Sequence, residues 1–545
     1  MTPSVRASLG ELSAGYFDLL VIGGGITGAG IAREAGLRGL KAALVEARDF
    51  GEGTSSRSSR LIHGGLRYLE QGHFRLVFEA LRERKILLRI APHLVRPLPF
   101  LVPVFQGDRV PRWKIAAGLA LYDLLAAGGN VRRHSTLGKR AVLEAEPLLR
   151  ERGLTGGGVY YDAQCDDARL TIATVRAAQM HGASTANYMR VTGLIRTVAG
   201  MSGAYLRDEL TGETGEVRAH QVVNAAGPWA DQIRKLEDPR ATPLLRPTKG
   251  VHVVVPRARV GNRQAIIFTS PVDGRVMFVL PWGEWSYIGT TDTDSTETPD
   301  QVSASMEEVV YLLRSANAIF PAARLGPEDV VATWAGLRPL LAADPSAEAS
   351  AVSREHRIVR GPGGMLTIMG GKLTTWRSMA AELVNQVETI LGHEHGGRGK
   401  ALSKTLPLPG GEAAVTDAFR AEGLDQGLTA ATVDHILARV GSEAPAIYAL
   451  CRGRPDLALP VHPDHPAIGA LVVHAVRREL AMRLDDMLSR RLHLTTETAD
   501  RGEAGIEPVA ALMADELGWT PEFTAEETDR ARAAVLAGSL WRGLS

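Results

Sequence analysis

"DLLVIGGGITGAGIAREAGLRGLKAALVEARD", residues 18–49, runs from a short apolar strand through a glycine turn into a helix and back to a strand. Gly23, Gly25 and Gly28 give the spacing G-x-G-x-x-G directly after the first strand, and Glu46 stands at the end of the second. Such glycines permit a tight turn, close approach of a pyrophosphate to the helix N-terminus and close helix packing, while the acid accepts hydrogen bonds from a ribose. The stretch therefore predicts a dinucleotide-binding fold. By itself it does not distinguish FAD from NAD.

Composition is that of an ordinary globular enzyme, and it excludes several other classes. The chain has 545 residues, 45% of them hydrophobic, which is enough for about two to four domains. A net charge of +1 argues against a general nucleic-acid surface, so we expect no nucleic-acid partner. Cys165 and Cys451 stand far apart, which supports neither a disulfide framework nor a cysteine metal site. We expect no metal and a reducing, cytoplasmic location.

Membrane contact is expected to be peripheral. No signal peptide is expected, and the longest apolar run, "WKIAAGLALYDLLAAGGN" at 113–130, contains Asp123 and several glycines and falls short of a spanning helix. Mixed apolar and basic residues predict a helix over 74–90, and the segments between residues 74 and 127 are the candidates for contact with the inner face of the cell membrane. The alternative is that the helix over 74–90 and the segments up to residue 127 pack inside a domain.

Two later stretches repeat the pattern of a strand followed by a small-residue turn. "QVVNAAGPWAD", residues 221–231, is an apolar strand that stops at Ala226 and Gly227. "GMLTIMGGKLTTWRSMAAELVNQVETIL", residues 364–391, passes from a strand through a glycine turn with Lys372 into a helix. We expect both turns to lie against the cofactor. The second is not an ATP-binding P-loop, because leucines replace the required glycine and hydroxyl residue.

Short runs between residues 251 and 292, such as "VHVVVP" and "VMFVLPW", predict antiparallel strands that cover a substrate. We expect a discontinuous cofactor- and substrate-binding region over 15–400, with the substrate sheet mainly at 245–345, and a C-terminal α-helical domain over 401–545. The helical prediction rests on one stripe of apolar residues at every fourth position, Val472, Val476, Leu480, Leu484 and Leu488.

Seven motifs occur in a fixed order: "VIGGGITGAGIAREA", "TSSRSSRLIHGGLRYLE", "DDARL", "VVNAAGPW", "GTTDTD", "GLRPLL" and "GGKLTTWR". Together they resemble the FAD-dependent glycerol-3-phosphate dehydrogenases over roughly residues 18–410. The resemblance implies an α/β chain with an FAD-binding Rossmann-like fold, an antiparallel substrate sheet and C-terminal helices. It also implies FAD as cofactor, oxidation of sn-glycerol 3-phosphate to dihydroxyacetone phosphate, and a quinone as electron acceptor. A homodimer is left open.

The resemblance assigns roles to single residues. A phosphate dianion is what a cluster of cations in a glycine-lined pocket recruits. Arg67 in "HGGLRYLE", Arg338 in "GLRPLL", Arg354 in "VSREH" and Lys372 in "GGKLTT" are therefore expected to hold phosphate and substrate oxygens. The residues expected to bind the cofactor are Gly23, Gly24, Gly25, Ile26, Thr27, Gly28, Glu46, Ala47, Thr54, Ser55, Ser58, Arg60, Leu61, Gly64, Gly65, Ala226, Gly227, Gly371, Leu373 and Thr374.

Oxidation of a secondary alcohol needs a neutral base within hydrogen-bond reach of the hydroxyl, and histidine suits this near pH 7. His63, beside the glycine pair of "HGGLRYLE", is the first candidate and His252 in "KGVHVVV" is the second. Arg338 is expected to stabilise the developing alkoxide as well.

Three other functions share parts of this pattern. A glycerol-3-phosphate oxidase that uses dioxygen would carry the same motifs. An FAD-dependent amine or amino-acid oxidase would share the fold but needs a single cation for a carboxylate. A flavin-dependent RNA-modifying protein would need a basic face, which the net charge does not favour.

Overall fold

The computed structural model describes residues 5–70, 72–198, 200–341, 355–392 and 402–543. The opening stretch folds as predicted, since strands Tyr16–Ile22 and Ala42–Val45 pair in parallel and helix Ile26–Leu37 connects them. The helix is buried on most of its surface, because small residues let neighbours approach. At Gly30, for example, a Cβ would lie 2.6 Å from the Trp376 ring.

A first sheet surrounds this unit and is parallel at its centre. Its strands in the described part of the chain are Tyr16–Ile22, Ala42–Val45, Ser184–Ala186, Met189–Thr197, Gly200–Asp208, Thr214–Asn224, His356–Arg360 and Leu366–Gly370. Strand Thr214–Asn224 lies beside Tyr16–Ile22, and Leu366–Gly370 lies beside Thr214–Asn224, so three strand ends meet at one edge. Ligands of open parallel sheets bind at this edge. The dinucleotide-binding fold predicted from the glycine spacing is confirmed.

A second sheet is mostly antiparallel. Its strands in the described part of the chain are Leu61–Ile62, Val95–Phe105, Ser135–Gly138, Leu154–Cys165, Leu245–Pro256, Ala265–Thr269, Val276–Trp282, Trp285–Gly289, Thr293–Asp294 and Ala332–Leu341. The strands expected between residues 251 and 292 are present. The sheet also takes in earlier strands, and Val95–Phe105 pairs with Leu154–Cys165 along nearly its whole length. Part of the segment considered for membrane contact is therefore buried sheet.

The segment "TSSRSSRLIHGG" joins the two sheets. It begins with the short helix Thr54–Ser56 beside the first sheet and continues into strand Leu61–Ile62 of the second. Residues between these points consequently lie where the sheets face each other.

Helices cover both sheets and build the C-terminal region. The helices before residue 400 are Leu9–Ala14, Ile26–Leu37, Leu66–Glu70, Phe74–Ile90, Arg112–Leu125, Lys139–Ala145, Asp167–Met180, Ala230–Glu237, Arg257–Val260, Met306–Ile319 and Trp376–Leu391. Those after it are Asp417–Asp425, Ala430–Val440, Ala444–Gly453, Gly469–Glu479, Leu494–Glu497, Ile506–Leu517 and Pro521–Ala537, with a π-helical turn at Asp486–Arg491 and a hairpin of Pro460–His462 with His465–Ile468.

The stripe predicted on a single C-terminal helix is wrong in detail. Helix Gly469–Glu479 ends where Leu480 adopts a left-handed conformation, with φ of +56°. Leu484 and Leu488 lie beyond that break, yet both are buried in the same apolar core as Val472. Burial of the apolar positions is correct, whereas their continuity in one helix is not.

Candidate cofactor and substrate site

A cavity of about 360 Å³ lies between the facing edges of the two sheets. One wall consists of the glycine turn and the ends of the first-sheet strands, and the other consists of the second-sheet residues Gly250, His252, Gly336 and Arg338. We refer to this cavity as the main pocket. It brings the predicted cofactor turn and the predicted substrate residues into one space.

The glycine turn has the backbone that a pyrophosphate requires. Gly23 has φ of +110°, and a Cβ there would lie 2.6 Å from the carbonyl oxygen of Ala225. A Cβ at Gly28 would collide with the Gly23 carbonyl oxygen. Helix Ile26–Leu37 begins directly at this turn, so its N-terminal N–H groups and positive dipole end face the pocket. Both features favour an anion at this place.

Polar side chains close the turn from two sides. The hydroxyl of Ser55 accepts a hydrogen bond from the Ile26 N–H at 2.9 Å. The Glu46 carboxylate accepts hydrogen bonds from the N–H groups of Gly24 at 2.6 Å and Arg48 at 2.9 Å. Burial raises the pKa of Glu46, and these backbone donors oppose the shift. Glu46 thus lines the pocket beside the turn, where the motif predicts a ribose-binding acid.

Arg338 occupies the second-sheet wall and is held in place by several contacts. Its guanidinium forms an ion pair with Asp292 at 3.0 Å and donates to the Thr290 hydroxyl at 3.0 Å and the Thr291 carbonyl oxygen at 3.1 Å. The absence of a side chain at Gly250 makes room for it, since a Cβ there would collide with the guanidinium. These contacts orient the group towards the pocket that it lines.

Lys372 lines the pocket from the glycine turn of residues 370 and 371, which both have positive φ. Its ammonium lies 3.6 Å from the centroid of the Tyr68 ring, a cation–π contact. Tyr68 belongs to "HGGLRYLE" and also lines the pocket. That motif therefore supplies an aromatic residue that the sequence did not single out.

The two candidate bases both line the pocket and differ in their surroundings. His63 is half-buried, and its backbone N–H donates to the Thr374 hydroxyl at 3.1 Å. His252 is 2% exposed, stacks on Trp334 with ring centroids 4.9 Å apart, and lies with Nε2 2.9 Å from the Ser59 hydroxyl. Burial, with the charges of Arg338 and Arg60, lowers the pKa of His252 to about 3. His252 is thus neutral at pH 7 and a weak base.

Arg60 departs from the expected cofactor role. Its guanidinium packs against the rings of Trp282, Tyr287 and Trp334 at 4.7 to 5.3 Å and donates to the Tyr287 hydroxyl at 2.7 Å. It does not line the main pocket. Arg60 has φ of +55° directly before strand Leu61–Ile62, and its side chain lies among these rings and not in the main pocket.

Most of the other predicted residues are brought together. Those that line the main pocket are Gly23, Gly25, Ile26, Thr27, Glu46, Ala47, Thr54, Ser55, Ser58, Leu61, His63, Ala226, Gly227, His252, Arg338, Gly371, Lys372, Leu373 and Thr374. Gly24, Gly28, Gly64 and Gly65 do not line it and instead shape its turns. Arg354 and the side chain of Arg67 lie outside the described part of the structure.

Sequence reasoning missed several lining residues, among them Arg48, Tyr68, Arg190, Trp229 and Asp300. Trp229 follows the predicted turn at Gly227, so its proximity could have been inferred from that motif. Arg190, in strand Met189–Thr197, and Asp300, in a loop, are distant in sequence from the predicted motifs, and no local pattern marks them.

Comparisons with known proteins agree with this geometry. Residues 18–377 match the family described as FAD dependent oxidoreductase, and residues 401–524 match the C-terminal domain of alpha-glycerophosphate oxidase. The aerobic glycerol-3-phosphate dehydrogenase of Staphylococcus haemolyticus is 37% identical, over 94% of this chain and 93% of its own. The glycerol-3-phosphate dehydrogenase of Mycobacterium leprae is 40% identical, over 98% and 91%. The glycerol-3-phosphate dehydrogenase of Bacillus halodurans, solved in complex with FAD, superposes with a TM-score of 0.80 at 32% identity, over 97% and 96%.

The fold and the main pocket thus define a flavin-dependent oxidoreductase, and the predictions of FAD and of the fold class are confirmed. Within that class, the chain belongs to the glycerol-3-phosphate dehydrogenase family.

Proposed function

We propose that this protein oxidises sn-glycerol 3-phosphate to dihydroxyacetone phosphate and passes the electrons to a quinone. The observation that carries the proposal is the placement of Arg338, Lys372 and His63 around the same cavity as the FAD-binding turn. A polyol phosphate needs cations for its phosphate and a base for its hydroxyl, and the pocket offers both. The identity of 40% over nearly the full length of a relative with this name supports the same substrate.

Lys372 and Arg338 orient the substrate in this proposal. Lys372, fixed above the Tyr68 ring, offers a point charge to the phosphate. Arg338 offers a planar fork held by Asp292, suited to an oxygen at the reacting carbon. Because Asp292 already neutralises part of its charge, we assign Arg338 to the oxygen that becomes a carbonyl and Lys372 to the phosphate.

His63 takes the hydroxyl proton in this proposal. FAD supplies the chemistry of hydride acceptance when it is bound, so the carbon loses a hydride while the oxygen loses a proton. His252 is too weak a base for this step, because its pKa lies near 3. We assign to it a neutral hydrogen bond with the substrate or the cofactor: its Nδ1 is buried and makes no hydrogen bond within the described residues.

A quinone acceptor is soluble in lipid, which makes a membrane-facing surface useful. No helix in the described ranges is both long enough and apolar enough to cross a bilayer. Helix Arg112–Leu125 nevertheless exposes an apolar stripe at helical spacing, on which Trp113 is 73% and Leu124 is 74% exposed. Arg112 and Lys114 flank the first of these. We propose that this helix rests on the membrane surface.

The membrane proposal predicts that vesicles containing anionic lipid sediment the protein and that Trp113→Gln with Leu124→Gln abolishes the binding. Arg140→Gln, at an exposed arginine on another helix, is the matched control. Binding that survives the double substitution would contradict this surface.

A dye-linked assay of the purified protein tests the activity. We expect dye reduction with sn-glycerol 3-phosphate and none with glycerol, because glycerol lacks the phosphate that the cations hold. Added quinone should replace the dye. Rapid peroxide formation in air without quinone would instead identify a dioxygen-using oxidase.

A further inference from the structure

A second cavity, of about 260 Å³, lies between strand Ala332–Leu341 of the second sheet and the C-terminal helix Pro521–Ala537. We refer to it as the rear cavity. Val302, Ala531 and Trp541 give it apolar walls, and the rest of the lining includes four arginines, a histidine, several serine and threonine residues, and Asp485, which is paired with Arg490. None of the proposed chemistry uses it.

Two arginines and a histidine in the rear cavity have acidic partners. Arg490 forms ion pairs with Asp49 at 2.6 Å, Asp485 at 2.8 Å and Asp486 at 2.9 Å. His493 lies 2.8 Å from Asp166. Arg60 is placed between Asp167 at 3.8 Å and Glu497 at 3.6 Å. The protein itself therefore supplies partners for these three side chains.

Arg57 and Arg501 have no such partner: across the described ranges, no carboxylate lies within 4.0 Å of either guanidinium. Within the described part of the chain, the Arg57 guanidinium makes one hydrogen bond, at 3.4 Å to the Ala335 carbonyl oxygen. Arg501 donates to the Val535 carbonyl oxygen at 2.7 Å and the Ser539 hydroxyl at 2.6 Å, and its Nε makes no hydrogen bond.

Both arginine side chains are half-buried, and neither guanidinium forms an ion pair within the described residues. Burial lowers the pKa of Arg57; the carboxylates of Glu52 and Asp485 oppose this shift, and the charges of Arg490 and Arg48 add to it. Burial also lowers the pKa of Arg501, with a contribution from Arg542. Taking a cation out of water without a counter-charge is costly, so the free energy of this arrangement improves when an anion enters.

We propose that the rear cavity binds a small phosphate dianion between Arg57 and Arg501. Guanidinium groups match phosphate oxygens in geometry, and each can present two parallel N–H donors. The hydroxyls of Ser56 and Ser303 also line the cavity and make no side-chain hydrogen bond within the described residues, so they supply further donors. The apolar walls leave space for the few carbon atoms of a phosphate monoester.

Arg57 connects the rear cavity to the main pocket, where the reaction is proposed to occur. It lines the rear cavity and the main pocket at once, so it forms part of the partition between them. A dianion in the rear cavity would draw the guanidinium away from the main pocket and add negative potential on the far side of this partition. Bound phosphate should therefore slow the reductive half-reaction, by roughly fivefold or more if the coupling is of ordinary size.

Calorimetric titration of the FAD-loaded protein tests the site, with inorganic phosphate and glycerol 2-phosphate as probes. Glycerol 2-phosphate has its C2 oxygen esterified and cannot be oxidised there. We expect two binding sites for phosphate: one in the main pocket, where phosphate competes with glycerol 3-phosphate, and a second in the rear cavity, where it does not. Arg501→Gln should weaken only the second, by tenfold or more, whereas Arg532→Gln, on the outer side of helix Pro521–Ala537, should leave both unchanged.

Arg501 also holds the end of a helix, so a second variant guards against loss of folding. Ala531→Met extends an apolar side chain into the rear cavity without changing the charge, and it should abolish the second phosphate. Equal affinities for both probes would assign the site to free phosphate, and tighter binding of the ester would assign it to phosphate monoesters. A second phosphate that persists in both variants, or its absence from the native protein, would overturn the proposal.

The effect of phosphate in the rear cavity on the reaction is measured separately, because phosphate binding itself does not depend on the proposed activity. Phosphate should lower kcat non-competitively in the native protein and not in Ala531→Met. Binding without any effect on kcat would overturn the role of Arg57 as a connection.

Discussion

Substitution of Arg338 by methionine tests the assignment of the reacting end of the pocket. The guanidinium is fixed by Asp292, Thr290 and Thr291 at 3.0 to 3.1 Å, so it is already oriented before substrate binds. Loss of one charge-assisted hydrogen bond to substrate costs about 1.5 to 3 kcal/mol, or roughly ten- to a hundredfold in kcat/KM. The same change leaves the Asp292 carboxylate without this partner near a phosphate-bearing substrate, which adds repulsion and favours the upper end of that range.

Stopped-flow measurement of anaerobic flavin bleaching gives the rate directly. Arg246→Met is the matched control, because Arg246 pairs with Asp294 in the same sheet and does not line the main pocket. The double variant Arg338→Met with Asp292→Asn should recover the part of the loss that comes from repulsion. A native bleaching rate in Arg338→Met with full FAD content would refute the assignment, and a loss confined to KM would move Arg338 from the reacting oxygen to the phosphate.

The remaining predictions concern single side chains and the bound flavin. Lys372→Met should raise KM more than it lowers kcat, because its ammonium binds the phosphate equally in ground and transition states; steady-state kinetics would show this, and an effect on kcat alone would contradict it. His63→Ala should lower flavin reduction at saturating substrate by roughly 10²- to 10⁴-fold, with partial recovery at high pH, and an unchanged rate would remove it as the base. Burial lowers the pKa of His93 from 6.5 to about 3, so below pH 6.5 the unfolded chain binds a proton that the folded chain does not. The free energy of unfolding is therefore highest above about pH 6.5 and falls towards pH 3, by about 2 kcal/mol at pH 5. Urea unfolding of His93→Gln should show a weaker dependence of this free energy on pH. Denaturation should release FAD, since we expect it to be bound non-covalently; flavin that stays on the chain would contradict this.

Features set by neighbouring residues in the chain were predictable from sequence. The glycine spacing at residues 23 to 28 identifies its own turn, because backbone conformation and helix start are local. Helix Phe74–Ile90 has the bounds that its pattern predicts. The turn with Lys372 likewise follows from adjacent glycines.

Features that depend on residues distant in the chain could not be predicted from sequence. The apolar and basic residues of strand Val95–Phe105 are compatible with membrane contact, and only pairing with Leu154–Cys165, some fifty residues later, shows that it belongs to a sheet. The motif predicts that Arg60 contacts the cofactor, and only the fold brings Trp282 and Trp334 around its side chain. The weak basicity of His252 depends on the same burial, so its rank as a base could not be decided from the motif.

Reduction of the bound flavin by substrate in the absence of any acceptor tests the central claim most directly. Purified FAD-loaded protein mixed anaerobically with sn-glycerol 3-phosphate should bleach its oxidised flavin band within a single turnover, and glycerol at the same concentration should leave the band unchanged. Bleaching by an amino acid such as glycine or sarcosine, with none by glycerol 3-phosphate, would contradict the account.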